Sequence, residues 1–324
     1  MNISALRARA LLASAAAGIL AGCGGVSQSQ LAPRAPMAQP ERERSWMLPG
    51  AASTALLYVA LYERNEVTVY SYPGLKLEGR LTGLQLPQDL CTDKKGDVFV
   101  VNSYPSGVVE YQHGGTKPIA TLDDSGQYAV SCGVDPVTGD LAVTNFHTYF
   151  SGPGSVAIYA RAKGEPTLYS DSKMPYVFFC GYDANGNLYV DGQQRSGSGS
   201  FQLAEIAKGQ KSFVNIKLQG SSILFPGAVR WDGTYVDVGD QQYQVVGTHW
   251  DSAIFRTTGS GGEIAGVVPL TGSNDVVGFT IGGTTLVGAD DGLGHVALYK
   301  YPAGGKPTGL IKDLETPTGV AISE

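Results

Sequence analysis

An all-β fold, a six-bladed β-propeller closed by its C-terminal strand, is predicted by three features of the 324-residue sequence. A phrase recurs about every 40 to 50 residues, each phrase holds two strand-forming segments, and no stretch carries sustained helical periodicity. The phrase is an apolar segment, an Asp, a Gly turn, a second apolar segment and an Asn or Asp. It reads LCTDKKGDVFVVN at 90–102, CGVDPVTGDLAVTN at 132–145 and CGYDANGNLYVD at 180–191. More worn copies are VRWDGTYVDVGD at 229–240 and FTIGGTTLVGAD at 279–290.

The remainder of each period supplies two further strands. A third strand reads Val-x-x-Tyr at Val67–Tyr70, Val108–Tyr111, Val156–Tyr159 and Val296–Tyr299, and degrades to LAEI and AIFR in the two intervening repeats. A turn rich in Gly, Lys and Pro follows, as in HGGTKP at 113–118, because Gly supplies positive φ and Pro suits the start of a strand. Strands two to four of a first blade fall at about 57–82, and complete blades begin near Pro87, Tyr128, Tyr176, Phe225 and Asn274. The first blade then lacks its inner strand. The terminal PTGVAISE at 317–324 has the form of PQDLCTD at 87–93 and fits that place, beside Leu57–Leu61, which removes a free sheet edge.

These phrases resemble the NHL and YVTN classes of propeller repeat, with GDLAVTN and GNLYVD as the nearest segments, over about residues 55–324. The resemblance implies fold more than function, since such propellers include binding scaffolds, lactonases and lyases. The first blade departs from the pattern, with Leu61 where the others carry Asn or Asp.

Three segments follow along the chain. Residues 1–22 hold Arg7 and Arg9, an apolar run from Ala10 to Leu20, and Leu20-Ala21-Gly22 before Cys23, which resembles a bacterial lipoprotein signal peptide with its lipobox. That resemblance implies cleavage before Cys23 and lipidation of its sulfur, and acyl chains at about 0.8 kcal/mol per buried CH₂ would anchor the protein stably to the lipid membrane. Gly24 after the lipid-bearing cysteine favours the outer membrane of the cell envelope, facing the periplasm or the surface. Residues 23–52, with Pro33, Pro36, Pro40 and the charged Glu41–Arg44, read as a flexible tether, and 53–324 as the propeller.

Composition narrows the partners. The full chain carries net charge −6, which becomes about −8 once the two signal arginines are removed, and no basic stripe offsets it, so nucleic-acid binding is disfavoured. A monomer that binds a protein, glycan or small molecule is expected. Catalytic grammar is missing: there is no HExxH, CxxC, Walker loop or Gly-x-Ser-x-Gly. DANGN at 183–187 opens like a calcium loop, but Leu188 and Gln194 stand where its Gly and Glu belong, so it reads as a hairpin turn.

One face gathers the remaining candidates. Loops between strands two and three open on the same face as those joining blades, and Asn102, Asn145, Asp191, Asp240 and Asp290 begin them, with His147, His249 and His295 in or beside them. They offer either a polar mouth for a ligand or a set of Asx turn initiators, each bonded to a backbone N–H two residues on. Loop aromatics, including Tyr104, Phe146, Tyr149, Phe150, Tyr243 and Trp250, could stack on sugars or anchor a partner. A non-catalytic binding scaffold is the expectation, with no cofactor and no metal, and replacing Asp191, Asp240 and Asp290 together should weaken binding with little loss of folding. The alternative is a metal-dependent lactonase of the gluconolactonase type, a family whose resemblance implies a divalent cation in the central channel held by Glu, Asn and Asp. Glu63 is the nearest glutamate, at the wrong offset.

The thiols read as small buried groups. Cys132 and Cys180 share a face of successive blades and Cys91 points the other way, so the one geometrically plausible bridge is Cys91–Cys132, near the axis.

Overall fold

The computed structural model describes residues 44–148, 152–194, 200–220 and 222–324. The signal segment, Cys23 and the tether up to residue 43 lie outside the described residues, as do Tyr149 and Phe150.

Among the described residues, the chain forms 25 strands. β1 (Trp46–Met47) precedes β2 (Leu56–Leu61), β3 (Glu66–Ser71) and β4 (Leu77–Leu81). Next come β5 (Pro87–Thr92), β6 (Val98–Ser103), β7 (Ser106–Tyr111) and β8 (Pro118–Asp123), then β9 (Gln127–Val134), β10 (Leu141–Thr148), β11 (Ser155–Tyr159) and β12 (Thr167–Tyr169). The second half holds β13 (Tyr176–Tyr182), β14 (Leu188–Gln193), β15 (Phe201–Ile206) and β16 (Val214–Ile216), followed by β17 (Pro226–Trp231), β18 (Val236–Val246), β19 (His249–Thr257) and β20 (Ile264–Leu270). Last are β21 (Val276–Gly282), β22 (Thr285–Asp290), β23 (His295–Lys300), β24 (Gly304–Ile311) and β25 (Pro317–Ser323).

The pairing is that of a β-propeller. Successive strands form four-stranded antiparallel meanders, and the last two meanders are joined into one eight-stranded sheet by the parallel pair Leu270↔Gly305. The first strands β25, β5, β9, β13, β17 and β21 contact one another in that cyclic order, so they surround an axis. β25 pairs antiparallel with β2, Leu57 opposite Ile322 and Val59 opposite Val320, and supplies the first blade with its inner strand.

Local sequence explains each blade. Second strands lie between neighbours on both faces and are largely buried and rich in apolar residues, wholly so in LLYVAL of β2. Fourth strands lie at the rim and are largely exposed, with Ile119, Leu168 and Val214 facing water. The Asp of the phrase starts the hairpin between strands one and two. Asp93 Oδ1 accepts the N–H groups of Lys95 and Asp97 at 2.8 and 2.9 Å, and Asp183 Oδ1 those of Asn185 and Asn187 at 2.9 Å each, so DANGN is a hairpin turn. Gly96 and Gly186 close these turns at φ 80° and 86°, where a Cβ would be strained. Both degraded third strands still form, as β15 and β19.

Near the axis the first strands approach closely. A Cβ on Gly319 would lie 2.5 Å from Asp89 Cα, and one on Gly181 2.5 Å from Val229 O. In this narrow region Cys91 of β5 and Cys132 of β9 form a disulfide with Cα atoms 5.7 Å apart, while Cys180 is a buried free thiol. The reading of Cys91 and Cys132 as separate buried thiols is thereby corrected; the face argument for which pair could meet holds.

The end of the expected tether is also ordered. Trp46 and Met47 add β1 to the outer edge of β4, Trp46 opposite Arg80 and Met47 opposite Gly79, and Ser45 Oγ accepts the Thr82 N–H at 2.9 Å. Gly79 admits it, because a side chain there would strike Met47 and the Trp46 carbonyl. An apolar pair against an open edge outweighs the polar composition around it.

Candidate functional site

Strand ends define two faces: the upper, with the loops from second to third strands and the crossovers between blades, and the lower, with the remaining hairpin turns. Asn102, Asn145, Asp191, Asp240 and Asp290 all stand at the upper ends of second strands, as expected, but four of them are buried and only Asn102 is partly exposed. Their partners are chiefly the backbone of the chain entering the same blade. Asp240 accepts the N–H groups of Leu224 and Phe225 at 3.0 and 3.1 Å, Asp290 that of Asn274 at 2.7 Å, Asp191 that of Phe179 at 2.8 Å, and Asn102 that of Gln85 at 3.3 Å. Only Asp240 also takes an N–H two residues on, from Gln242. Asn145 donates to Ser155 Oγ at 3.3 Å and reaches the Asp124 carboxyl.

Asn102, Asp240 and Asp290 thus clip the crossover to the blade it enters, Asp240 and Asp290 also initiate the following turn by accepting the Gln242 and Leu293 N–H groups at 3.0 Å each, and Asp191 holds Phe179 within the first strand of its own blade. Replacing Asp191, Asp240 and Asp290 together removes the partners of the buried Phe179 N–H and the part-buried Leu224, Phe225 and Asn274 N–H groups, so that variant is expected to lose folding stability as well as any binding. Burial raises the carboxyl pKa of all three, opposed by the backbone donors and, at Asp290, by His295 and His249.

The histidines separate. His147 Nδ1 lies 2.6 Å from Thr148 O, and its ring packs at 4.8 Å on Phe146 and 5.6 Å on Tyr128. His295 Nε2 sits 3.6 Å from Asp290, and His249 Nε2 3.5 Å from Asp251. Of the aromatic candidates, Tyr104 is 57% exposed, Phe146 is buried, and Tyr243 packs edge-on against Phe255.

Two features of the axis and mouth escape the repeat pattern. At the mouth, aromatic rings from successive blades form an arc: Phe146 contacts Tyr176 at 5.2 Å and Phe178 at 4.9 Å, and Phe178 contacts Phe225 at 5.7 Å. The Tyr62 and Tyr128 hydroxyls, 2.6 Å apart, join blade one to blade three. Tyr62, Tyr128, His147, Tyr176 and Phe225 remain partly exposed above a buried floor of Phe146 and Phe178. Blade six carries a group of acids at the same end of its strands. Asp275 is raised to about 7 by burial and by Asp291 and Asp290, and Asp291 to about 6 by burial, Asp290 and Glu63.

Below the mouth, Arg230 of β17 meets Asp89 of β5 across the axis, with Nη2 3.1 Å from both carboxylate oxygens. Ser131 Oγ donates to Asp89 Oδ2 at 2.6 Å, and Arg230 Nη1 donates to Val229 O at 3.0 Å and Cys180 O at 3.4 Å. The signal for this pair was present: Asp89 and Arg230 are the sole charged residues in the six first strands, and two charges buried on one axis must meet. A divalent cation does not fit beside that guanidinium. Among the described residues no three His, Cys, Asp or Glu side chains converge closely enough to share a metal ion.

No family model and no curated relative matches the chain. It is similar in structure to a chain of the nidogen/laminin complex, at 12% identity and TM-score 0.65 over 83% of this chain and 98% of that one. It is likewise similar to a protein of unknown function from Bacteroides caccae, at 12% identity and TM-score 0.60 over 84% and 99%. Both likenesses are at the level of the β-propeller fold.

Proposed function

We propose that the protein is a membrane-anchored extracytoplasmic scaffold that binds a glycan or a protein partner on its upper face without catalysing a reaction. The observation that carries this reading is the aromatic arc of Tyr62, Tyr128, His147, Tyr176 and Phe225, packed ring against ring, with the Tyr62 and Tyr128 hydroxyls bonded and the Phe225 backbone held by Asp240. Rigid aromatic surfaces bind with little loss of side-chain entropy, and a sugar face or an apolar anchor from a partner would stack there. The lactonase alternative has less support, because the Arg230–Asp89 pair occupies the axis where a catalytic cation would sit.

The anchoring half rests on the resemblance of residues 1–23 to a lipoprotein signal. The Cys91–Cys132 disulfide supports it, since such bonds persist in oxidising compartments such as the periplasm. Metabolic labelling with a fatty-acid probe should mark the wild type and leave Cys23→Ser unmarked; equal labelling of both would remove the anchor. For the binding half, a glycan array and partner crosslinking should lose signal in a Tyr128→Ala/Tyr176→Ala variant that melts like the wild type. Undiminished signal in that variant would move the site elsewhere.

A further inference from the structure

The lower face carries a second, independent feature. A cleft of about 590 Å³ opens between blades two and three, on the side away from the aromatic arc. Phe99, Val134, Pro136, Val137 and Ala162 supply apolar wall, and Val137 is 51% exposed. Lys94, Lys95, Arg161 and Lys163 also line it, a gathering of cations in a chain of net charge −6.

The acids of the cleft are largely committed elsewhere. Asp93 Oδ1 holds its own turn, and Asp135 accepts the Val137 N–H at 2.7 Å and the Thr138 hydroxyl at 2.6 Å. Glu110 is the third; burial and the charges of Asp97 and Asp93 raise its carboxyl, while Lys95 and Lys163 oppose them. Lys95 lies 4.0 Å from Asp93, whereas among the described residues no carboxylate stands within that distance of the charged ends of Lys94, Arg161 or Lys163.

The backbone at the rim is strained into place. Arg161 and Ala162 follow one another at φ 53° and 51°, a left-handed pair without glycine that persists only where the surrounding structure holds it. Asp140 holds it by accepting the Arg161 N–H at 2.8 Å. The held backbone sets Arg161 at the rim of the cleft.

We propose that this cleft binds a small organic anion: a carboxylate or phosphate head on a flat apolar body, the head met by Arg161, Lys163 and Lys94 and the body lying against Phe99, Val134 and Val137. Calorimetric titration of the whole propeller domain with four naphthalene probes tests it: 2-naphthoate, 2-naphthyl phosphate, 2-naphthalenemethanol and 2-naphthylmethylamine. At least one of the two anions should bind saturably and at least tenfold more tightly than the neutral and cationic probes, and its affinity should fall between 50 and 500 mM salt, as about a Debye length of screening requires. The relative strength of the two anions distinguishes a carboxylate ligand from a phosphate one. Arg161→Glu/Lys163→Glu should lose that binding at least tenfold. Arg161→Gly, which removes the head while relieving the positive φ, should weaken binding and keep or raise the melting temperature. Tyr128→Ala/Tyr176→Ala, on the opposite face, should leave it unchanged. Absence of saturable binding by both anions, equal affinity for the neutral probe, or full affinity in both Arg161 variants would overturn the proposal.

Discussion

Asp89 is wholly buried, and its charge is matched by one guanidinium and one hydroxyl. Removing a single partner of such a pair leaves the other uncompensated, which costs about 3–5 kcal/mol, whereas replacing both by apolar groups of similar volume costs far less. Asp89→Ala should therefore lower the urea midpoint substantially, and Asp89→Leu/Arg230→Met should recover most of it. An unchanged midpoint in the single variant would show that the pair carries no stability. Protonation acts at the same scale. Asp237 and Asp275 are raised to about 7 and Asp124 and Asp291 to about 6, in each case chiefly by burial, from an ordinary 3.8. The folded protein then holds protons that the unfolded chain releases between about pH 4 and 7, so stability is greatest at the acid end of that window and falls as pH rises through it. The melting temperature should be higher at pH 5 than at pH 8; the reverse order would mean that these carboxyls keep their charge when folded.

At the level of strands and turns, the sequence was legible wherever the mechanism is local. In the four phrases that carry it, the Asp bonds backbone two to four residues on, so turn, strand pair and period could be read together. The Asx residues at the upper ends of second strands were located and, at Asp240 and Asp290, do bond the turn that follows, but their further partners lie 15 or 16 residues earlier, in crossovers that have no common motif. The aromatic arc was harder still to see, since Phe146, Tyr176, Phe178 and Phe225 meet only once three blades are assembled. β1 was hidden for a different reason: two apolar residues in a polar stretch give no periodicity. The disulfide belongs to this scale as well. It joins first strands of adjacent blades across a separation of 41 residues, and in the chain-entropy view such a loop contributes about 4 kcal/mol. Reduction under native conditions, or Cys91→Ser, should lower the melting temperature by several degrees while the fold persists. A melting curve insensitive to reductant would show that the bond adds nothing to stability.

For the whole molecule, stability depends on the ring being shut. β25 brings Val320 and Ile322 into the packing between the first and last blades and pairs with β2 along its full length. Deleting residues 317–324 removes those side chains, at roughly 1.5–3 kcal/mol each, and exposes the apolar edge of β2. The truncated chain should be insoluble or melt far below the full one; identical melting would mean the ring does not need its last strand.

Blade one is assembled from both extremes of the described chain, with β1 on its outer edge and β25 on its inner. A chain delivered N-terminus first, through a ribosome tunnel or a translocation pore, presents the strands of this blade early and then waits for nearly the entire remaining sequence to emerge. During that interval LLYVAL has no neighbour on its inner side. The order of synthesis thus sets a period of vulnerability that no blade in the middle of the chain shares.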